Sequence, residues 1–316
     1  MLRTAAIAPQ KACVVCGGSE LESTGLTKNL KSLLDEWEAH TYAPFPASVR
    51  DDYETEGGRI ELYRCRHCLT ETFFPLKAGT RAFYAHILQK EEYYLSEKWE
   101  FNFAISRILA EGARSVFDYG CGSGYFLSRL TKGRSIRAFG YDFGSEPTGD
   151  EVGFVRVTNP TLAALGGAQV DVLCSFQVLE HVADPFSVLR EALELLRPGG
   201  LAIIAVPDNA GPVRYFPDAL TNLPPHHVTR WRKESLVALA ERAGLRTETV
   251  RFENLPSYLW RMYLPVMLTK GPFSFLGRVA NRLGLTKAVL DTLEWMGVRE
   301  LPGVRGHTVL IIARKP

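Results

Sequence analysis

Four of the six cysteines stand in two pairs, Cys13-Val-Val-Cys16 and Cys65-Arg-His-Cys68, while Cys121 and Cys174 stand alone. A C-x-x-C turn points two thiolates at one metal ion, and two such turns complete a tetrahedral four-sulfur zinc site. Gly17-Gly18 follows the first pair, where a knuckle needs backbone freedom. A redox dithiol is the competing chemistry, but neither pair lies at a strand-to-helix junction of a βαβ unit. Two reduced, unrelated turns are the third alternative. His67 could compete as a ligand and reads better as a surface residue. The expectation is a closed, structural Zn2+ site made by Cys13, Cys16, Cys65 and Cys68, with Cys121 and Cys174 as packed small residues.

A second string, Val116-Phe117-Asp118-Tyr119-Gly120-Cys121-Gly122-Ser123-Gly124, runs an apolar strand into a glycine loop that opens a helix. Glycines there let a ligand lie against the backbone. Tyr125 breaks the G-x-G-x-x-G fingerprint of nicotinamide enzymes, and the spacing is D-x-G-x-G-x-G instead. Asp142 ends the next strand, 22 residues after Gly120. A carboxylate at that place can accept hydrogen bonds from both hydroxyls of a ribose.

The elements that must position these residues alternate. Strands are predicted at Ser115–Asp118, Ile136–Asp142, Gly153–Val157, Val170–Phe176, Leu201–Pro207, Thr247–Phe252 and Thr308–Ala313. Asp184-Pro185 predicts a capped helix start, with Phe186, Leu189, Leu193 and Leu196 at helical spacing. A second helix is predicted from Lys233 to Ala243, ended by Gly244. A third runs before the first strand, with Trp99, Phe103, Ile105, Ile108 and Leu109 as its apolar face. The pattern predicts an α/β fold: a Rossmann-like, seven-stranded, mostly parallel sheet with helices on both faces. Ligands bind such sheets at the carboxyl ends of the strands.

With these strings in place, the chain resembles the class I S-adenosylmethionine-dependent methyltransferases over about residues 113–316. Asp171-Val172-Leu173-Cys174-Ser175-Phe176-Gln177-Val178-Leu179-Glu180-His181-Val182 is similar to that family's fourth-strand motif. Arg197-Pro198-Gly199-Gly200 resembles its turn into the fifth strand, and Gly306 to Ile312 its last strand. The small-molecule branch that includes ubiquinone-biosynthesis O-methyltransferases is most similar, and a four-Cys module ahead of such a domain resembles methyltransferases of sugar and secondary-metabolite pathways. The resemblance implies S-adenosylmethionine as cofactor. Gly120, Gly122 and Gly124 would border its methionyl part, Asp118 would orient its ammonium, and Asp142 would hold its ribose. Thr158 or Asn159 would meet the adenine, with Phe176 and Gln177 near the adenosine or the sulfonium. Tyr93 and Tyr94 would close over the cofactor or stand on a helix surface.

Two departures stand out. Only Phe143 to Val152 separate Asp142 from the third strand, so the usual crossover helix is expected to be lost or cut to a turn. The ubiquinone enzymes place a Glu three residues before the Glu-His pair as a metal ligand, and here that position is Gln177. No catalytic metal is therefore expected at Glu180 and His181, which would start the fourth crossover and orient its loop. Methyl transfer to a hydroxyl or a carbon also needs a base, and His is the default. His226 or His227, after Pro224-Pro225, is the expected base, with His181 behind them; each could instead cap a helix or pack.

Residues 1–80 are read as the zinc-ribbon-like module, 81–112 as a linking helical segment, and 113–316 as the methyltransferase domain. Residues 255–300 interrupt the alternation as a helical insertion, to be read as a packing element, a lid over an apolar substrate, or a peripheral membrane-surface element. The stretch from 17 to 64 carries ten acidic and five basic residues, and the whole 316-residue chain a net charge of only +2. Both disfavour a nucleic-acid partner. The expected partner is a small-molecule acceptor of sugar, lipid-linked or secondary-metabolite type, methylated at oxygen. An RNA methyltransferase with the zinc module as clamp and a non-catalytic interaction protein are the alternatives. No apolar run reaches the length of a membrane span and the first residues do not resemble a secretory signal, so a cytoplasmic location is expected.

Overall fold

The computed structural model describes residues 11–53, 58–88, 95–144, 152–270 and 274–316. The expectations for Tyr93 and Tyr94, and most of the shortened crossover after Asp142, lie outside the described residues.

The chain opens with β1 (Leu21–Asn29), α1 (Leu30–Thr41), α2 (Ala47–Asp52), β2 (Arg59–Cys65), β3 (Glu71–Phe74) and α3 (Arg81–Ile87). Then come α4 (Trp99–Glu111), β4 (Ser115–Tyr119), α5 (Tyr125–Thr131), β5 (Arg137–Tyr141) and β6 (Val155–Arg156). These are followed by β7 (Val170–Phe176), α6 (Pro185–Glu194), β8 (Leu196–Pro207), β9 (Thr229–Arg230) and α7 (Lys233–Arg242). The last elements are β10 (Arg246–Pro256), α8 (Ser257–Lys270), α9 (Ser274–Arg282), α10 (Leu285–Trp295) and β11 (Glu300–Arg314).

The large sheet has the order β10-β11-β8-β7-β4-β5-β6. The pairs β4–β5, β4–β7, β5–β6 and β7–β8 are parallel. β11 is antiparallel to both its neighbours, because it returns from α8–α10 between them instead of crossing over a face. The fold is thus the Rossmann-like α/β sheet that the alternation predicts. β4, β7 and β8 are nearly continuous buried runs, as central strands covered on both faces must be. Asp184 caps α6 by accepting from the Ser187 amide at 3.0 Å, and Pro185 occupies the first turn. The buried stripe of α4 differs from the predicted one. Phe101, Ala104 and Ile108 are buried while Leu109 faces solvent, since the sheet meets the helix about one position around from the face that apolarity alone suggested.

The N-terminal segment is not a detached module. Its strands form a sheet in the order β1-β2-β3-β9, so the fourth strand comes from beyond residue 113. Phe83 and Ile87 of α3 share a core with Leu33, Trp37 and Phe73, whereas Ala104 and Ile108 of α4 pack on the large sheet. The segment 81–112 is therefore divided between the two cores. The cysteine knuckles rest on α7: Cys13, Val15, Cys65 and Cys68 share a core with Leu236, Leu239 and Ala240. Ser235 Oγ donates to the Cys68 carbonyl at 2.9 Å, and Arg242 donates to the Val15 carbonyl at 2.8 Å.

Residues 255–300 form α8, α9 and α10 around buried Trp260, Tyr263 and Leu290. Phe275, Leu276, Leu283 and Trp295 are exposed there. Among the described residues, no helix is long and apolar enough to cross a membrane.

Candidate active site

A cavity of about 950 Å³ opens at the carboxyl ends of β4, β5, β7 and β8. Parallel register brings those ends to one edge: Asp118 lies beside Gly140 and Cys174, and Phe176 beside Ala205. The opposite wall is the N-terminal segment, through Trp37, His40, Thr41 and Tyr84. Among the described residues, none from 255–300 lines the cavity, which leaves the lid reading without support there.

Of the residues expected to hold the cofactor, Asp118, Gly120, Gly122, Asp142, Phe176 and Gln177 line the cavity. Gly124, Thr158 and Asn159 do not. Gly124 caps α5, and its missing side chain makes room for the Phe154 ring: a Cβ there would lie 2.3 Å from Cζ. Thr158 and Asn159 are exposed beyond the two-residue β6. The glycine loop is held from two sides. The amides of Gly120 and Cys121 donate to the Tyr141 carbonyl at 2.7 and 2.9 Å. Asp142 accepts from the Gly122 amide with one oxygen and from the Gly144 amide with the other, both at 2.8 Å. Arg156, which no motif marked, donates to the Gly122 carbonyl at 2.8 Å.

Two features fit S-adenosylmethionine. Gly120 has φ 84°, and a Cβ there would lie 2.2 Å from Val178 Cγ2, so only glycine keeps this wall open. Asp118 is buried, and its Oδ1 has no hydrogen-bond partner among the described residues. Burial, with the neighbouring Asp142 charge, pushes its carboxyl up to about 8. An unpaired buried carboxylate of this kind suits a ligand ammonium.

Also on the cavity wall, His181, His226 and His227 converge, with ring centroids 4.5 to 4.7 Å apart. Nδ1 of His181 donates to the His226 carbonyl at 2.8 Å and lies 2.9 Å from Tyr84 Oη. Nδ1 of His226 faces the Thr221 carbonyl at 2.9 Å. A carbonyl only accepts, so both rings carry the proton on Nδ1 and the lone pair on Nε2. Burial lowers all three imidazoles, His181 to about 4, so they are neutral at pH 7. The loop is fixed on both flanks: the Val228 amide donates to the Glu180 carbonyl at 2.9 Å, and the Phe73 amide to the Val228 carbonyl at 3.0 Å. The N-terminal sheet thus holds the histidine loop in place.

Sequence reasoning read Glu180 as a loop-orienting residue. It lines the cavity 1 % exposed, neither carboxylate oxygen has a hydrogen-bond partner among the described residues, and burial raises its carboxyl to about 8. His307 on β11 and Lys98 also line the cavity, and nothing in their spacing marked them. Gln177, with φ 57°, turns its amide toward Glu100 at 3.1 Å.

The four paired cysteines converge with all sulfurs within 4.8 Å of one another. Cys13–Cys68 and Cys16–Cys65 are 3.5 and 3.6 Å apart. Four thiolates at zinc–sulfur distance define a tetrahedron with edges of about 3.8 Å, so the set fits one ion. His67 is not part of it and lies 3.6 Å from Glu20 at the surface.

A family model described as a methyltransferase domain matches residues 84–250, just over half of the chain. A probable S-adenosylmethionine-dependent methyltransferase from Mycolicibacterium smegmatis is 32% identical over 144 residues, 43% of this chain and 53% of that protein. A ubiquinone biosynthesis O-methyltransferase from Stutzerimonas stutzeri is 33% identical over 106 residues, 30% of this chain and 45% of that protein. The chain spans about half the length of these curated relatives. A solved SAM-dependent methyltransferase from Archaeoglobus fulgidus superposes with a TM-score of 0.42 at 19% identity, over 68% of this chain and 94% of that one. Given the matched glycine loop, strand order and cavity, the chain belongs to the methyltransferase-domain family.

Proposed function

We propose that the protein transfers the methyl group of S-adenosylmethionine to a hydroxyl of a small-molecule acceptor, of sugar, lipid-linked or secondary-metabolite type. The observation that carries this reading is the single cavity on which the glycine loop, Asp142 and three neutral histidines face one another. Its volume of about 950 Å³ lies in the range of small-molecule sites. The N-terminal wall at Trp37 and Tyr84 favours such an acceptor over a polynucleotide.

The cofactor supplies an activated methyl on a sulfonium, so the chain's task is alignment and exclusion of water. Gly120 and Gly122 give the methionyl part backbone contact, Asp118 answers the ammonium, and Asp142 holds the ribose. The histidine cluster assists removal of the acceptor hydroxyl proton, because an imidazole with a lone pair on Nε2 can accept it. We further propose that Cys13, Cys16, Cys65 and Cys68 hold structural Zn2+, which stiffens the sheet that fixes His226 and His227.

Calorimetric titration with S-adenosylhomocysteine tests the reading. Micromolar binding is expected, weakened at least about tenfold in Asp142→Asn, since charge-assisted hydrogen bonds contribute roughly 1.5–3 kcal/mol each. Folded, zinc-loaded protein that binds no S-adenosylhomocysteine would refute it.

A further inference from the structure

We propose that α9 and the turn into α10 form a docking surface for a bilayer that carries anionic lipid. The sidedness of α9 is inverted. Gly277 is buried against α8, where a Cβ would lie 2.1 Å from the Leu268 carbonyl oxygen. Asn281 stands on the same side and donates to the Pro265 carbonyl of α8 at 2.9 Å. Ser274 and Ala280 flank them, half-buried. At about 100° per residue, Phe275, Leu276, Val279 and Leu283 fall on the opposite side. All four are exposed, Phe275 by 69 % and Leu283 by 67 %. A helix of a globular protein ordinarily turns its apolar side inward. Here small and polar residues face in and large apolar ones face out, so packing within the chain does not account for them.

Leu285 and Val289 of α10 are exposed as well. Single exposed apolar residues are ordinary, whereas four on one helix face mark a contact surface.

Charge selects the occupant. α8 and α9 carry Arg261, Lys270, Arg278 and Arg282 and no acidic residue. Arg261 is answered by Asp291 and Glu294 of α10, both at 2.7 Å. Arg278 and Arg282, one turn apart beside the apolar face, are exposed and form no ion pair among the described residues. A second copy docked face to face would bring arginines toward arginines, with no carboxylate of α8 or α9 to answer them. Anionic headgroups answer them directly, and the acyl boundary takes the four apolar side chains. An apolar helix face flanked by basic residues is the pattern of a helix lying in the membrane interface.

α8 joins this surface to the cavity, since Tyr263 Oη lies 3.0 Å from Nδ1 of His307 on the cavity wall. Docking through α9 therefore brings the cavity to a lipid surface. Resting on the methyl-transfer reading, a lipid-linked acceptor is the class that gains from that placement.

The test is flotation of full-length, zinc-loaded protein with vesicles of phosphatidylcholine alone or with about one third phosphatidylglycerol. S-adenosylhomocysteine binding is measured on the same samples. Flotation is expected with the anionic vesicles only, and should fall as salt rises. Arg278→Gln and Arg282→Gln should each weaken binding about fivefold, the contribution of one basic residue at an anionic surface. Phe275→Ser should weaken it at least about tenfold, because an aromatic side chain leaves the acyl boundary. These side chains are exposed, so each variant should keep the parent's circular dichroism and melting temperature. Folded protein that floats with neither vesicle type, or equally with both, would overturn the proposal. So would anionic-vesicle binding that all three variants retain at unchanged affinity. A dimer in sedimentation that Phe275→Ser dissociates would assign the face to a second copy and overturn it too. Failure of the two readings is distinguishable: cofactor binding without vesicle binding sinks only the docking surface, and vesicle binding without cofactor binding sinks only the methyl-transfer reading.

Discussion

Replacing Gly120 by Ala probes the wall on which both halves of the site depend. Its φ of 84° is strained for any L side chain, and the new Cβ would lie 2.2 Å from Val178 Cγ2. Gly112, with φ 68° and nothing within 4 Å of its Cβ, carries the backbone strain without the clash. The backbone term is roughly 1–2 kcal/mol at either site, offset by about 0.4–1 kcal/mol from the stiffer unfolded chain. Overpacking adds roughly 1–3 kcal/mol at Gly120 alone, because a β-branched neighbour has little rotamer freedom to yield. Gly112→Ala should therefore cost about 1 kcal/mol and Gly120→Ala about 2–4 kcal/mol. Urea unfolding at constant m-value measures both. Val178→Ala removes the clashing methyl, so the double variant should recover about 1–3 kcal/mol as a coupling energy. Equal losses at Gly112 and Gly120, or no recovery in the double variant, would refute this account. Val178 stands just before the segment Leu179–His181, so a displaced Val178 should also weaken S-adenosylhomocysteine binding.

Two further outcomes follow from the same geometry. Burial holds the Asp118 carboxyl at about 8, so it is mostly protonated at pH 7, and a ligand ammonium beside it should ionise it. Binding should then release protons at pH 7, at most one per chain from this group, read from calorimetry in buffers of different ionisation enthalpy, and Asp118→Asn should abolish that release. Cys65→Ser should loosen the histidine loop as well as the knuckles, because β2 and β3 carry β9. Hydrogen exchange should then show lost protection at Val228 to Trp231, and unchanged protection there would separate the thiol site from the loop.

Short-range patterns made much of this molecule legible. The strand Val170–Phe176 was bounded to the residue, because an apolar run between turn signals is defined within its own length. The glycine loop was legible for a related reason: positive φ at Gly120, Gly122 and Gly124 is a local demand that only glycine meets cheaply. Even so, the shared requirement hid different purposes, since Gly120 faces the cavity and Gly124 faces Phe154. Thr158 and Asn159 fell off the wall because β6 is only two residues long, and strand length at a sheet edge depends on its neighbour.

By itself, the sequence determined the alternation of strands and helices, the paired thiols and the spaced acid after the glycine loop. Each of these is written in periodicity or in a spacing of a few residues. Tertiary structure alone decided that His181 meets His226 across 45 residues, that Thr229–Arg230 completes the N-terminal sheet, and that Trp37 and Tyr84 wall the cavity. It also left Glu180 buried without a hydrogen-bond partner among the described residues. Such contacts come from packing two cores against one sheet edge. No local pattern encodes them, because their energy exists only once distant segments have closed on one another.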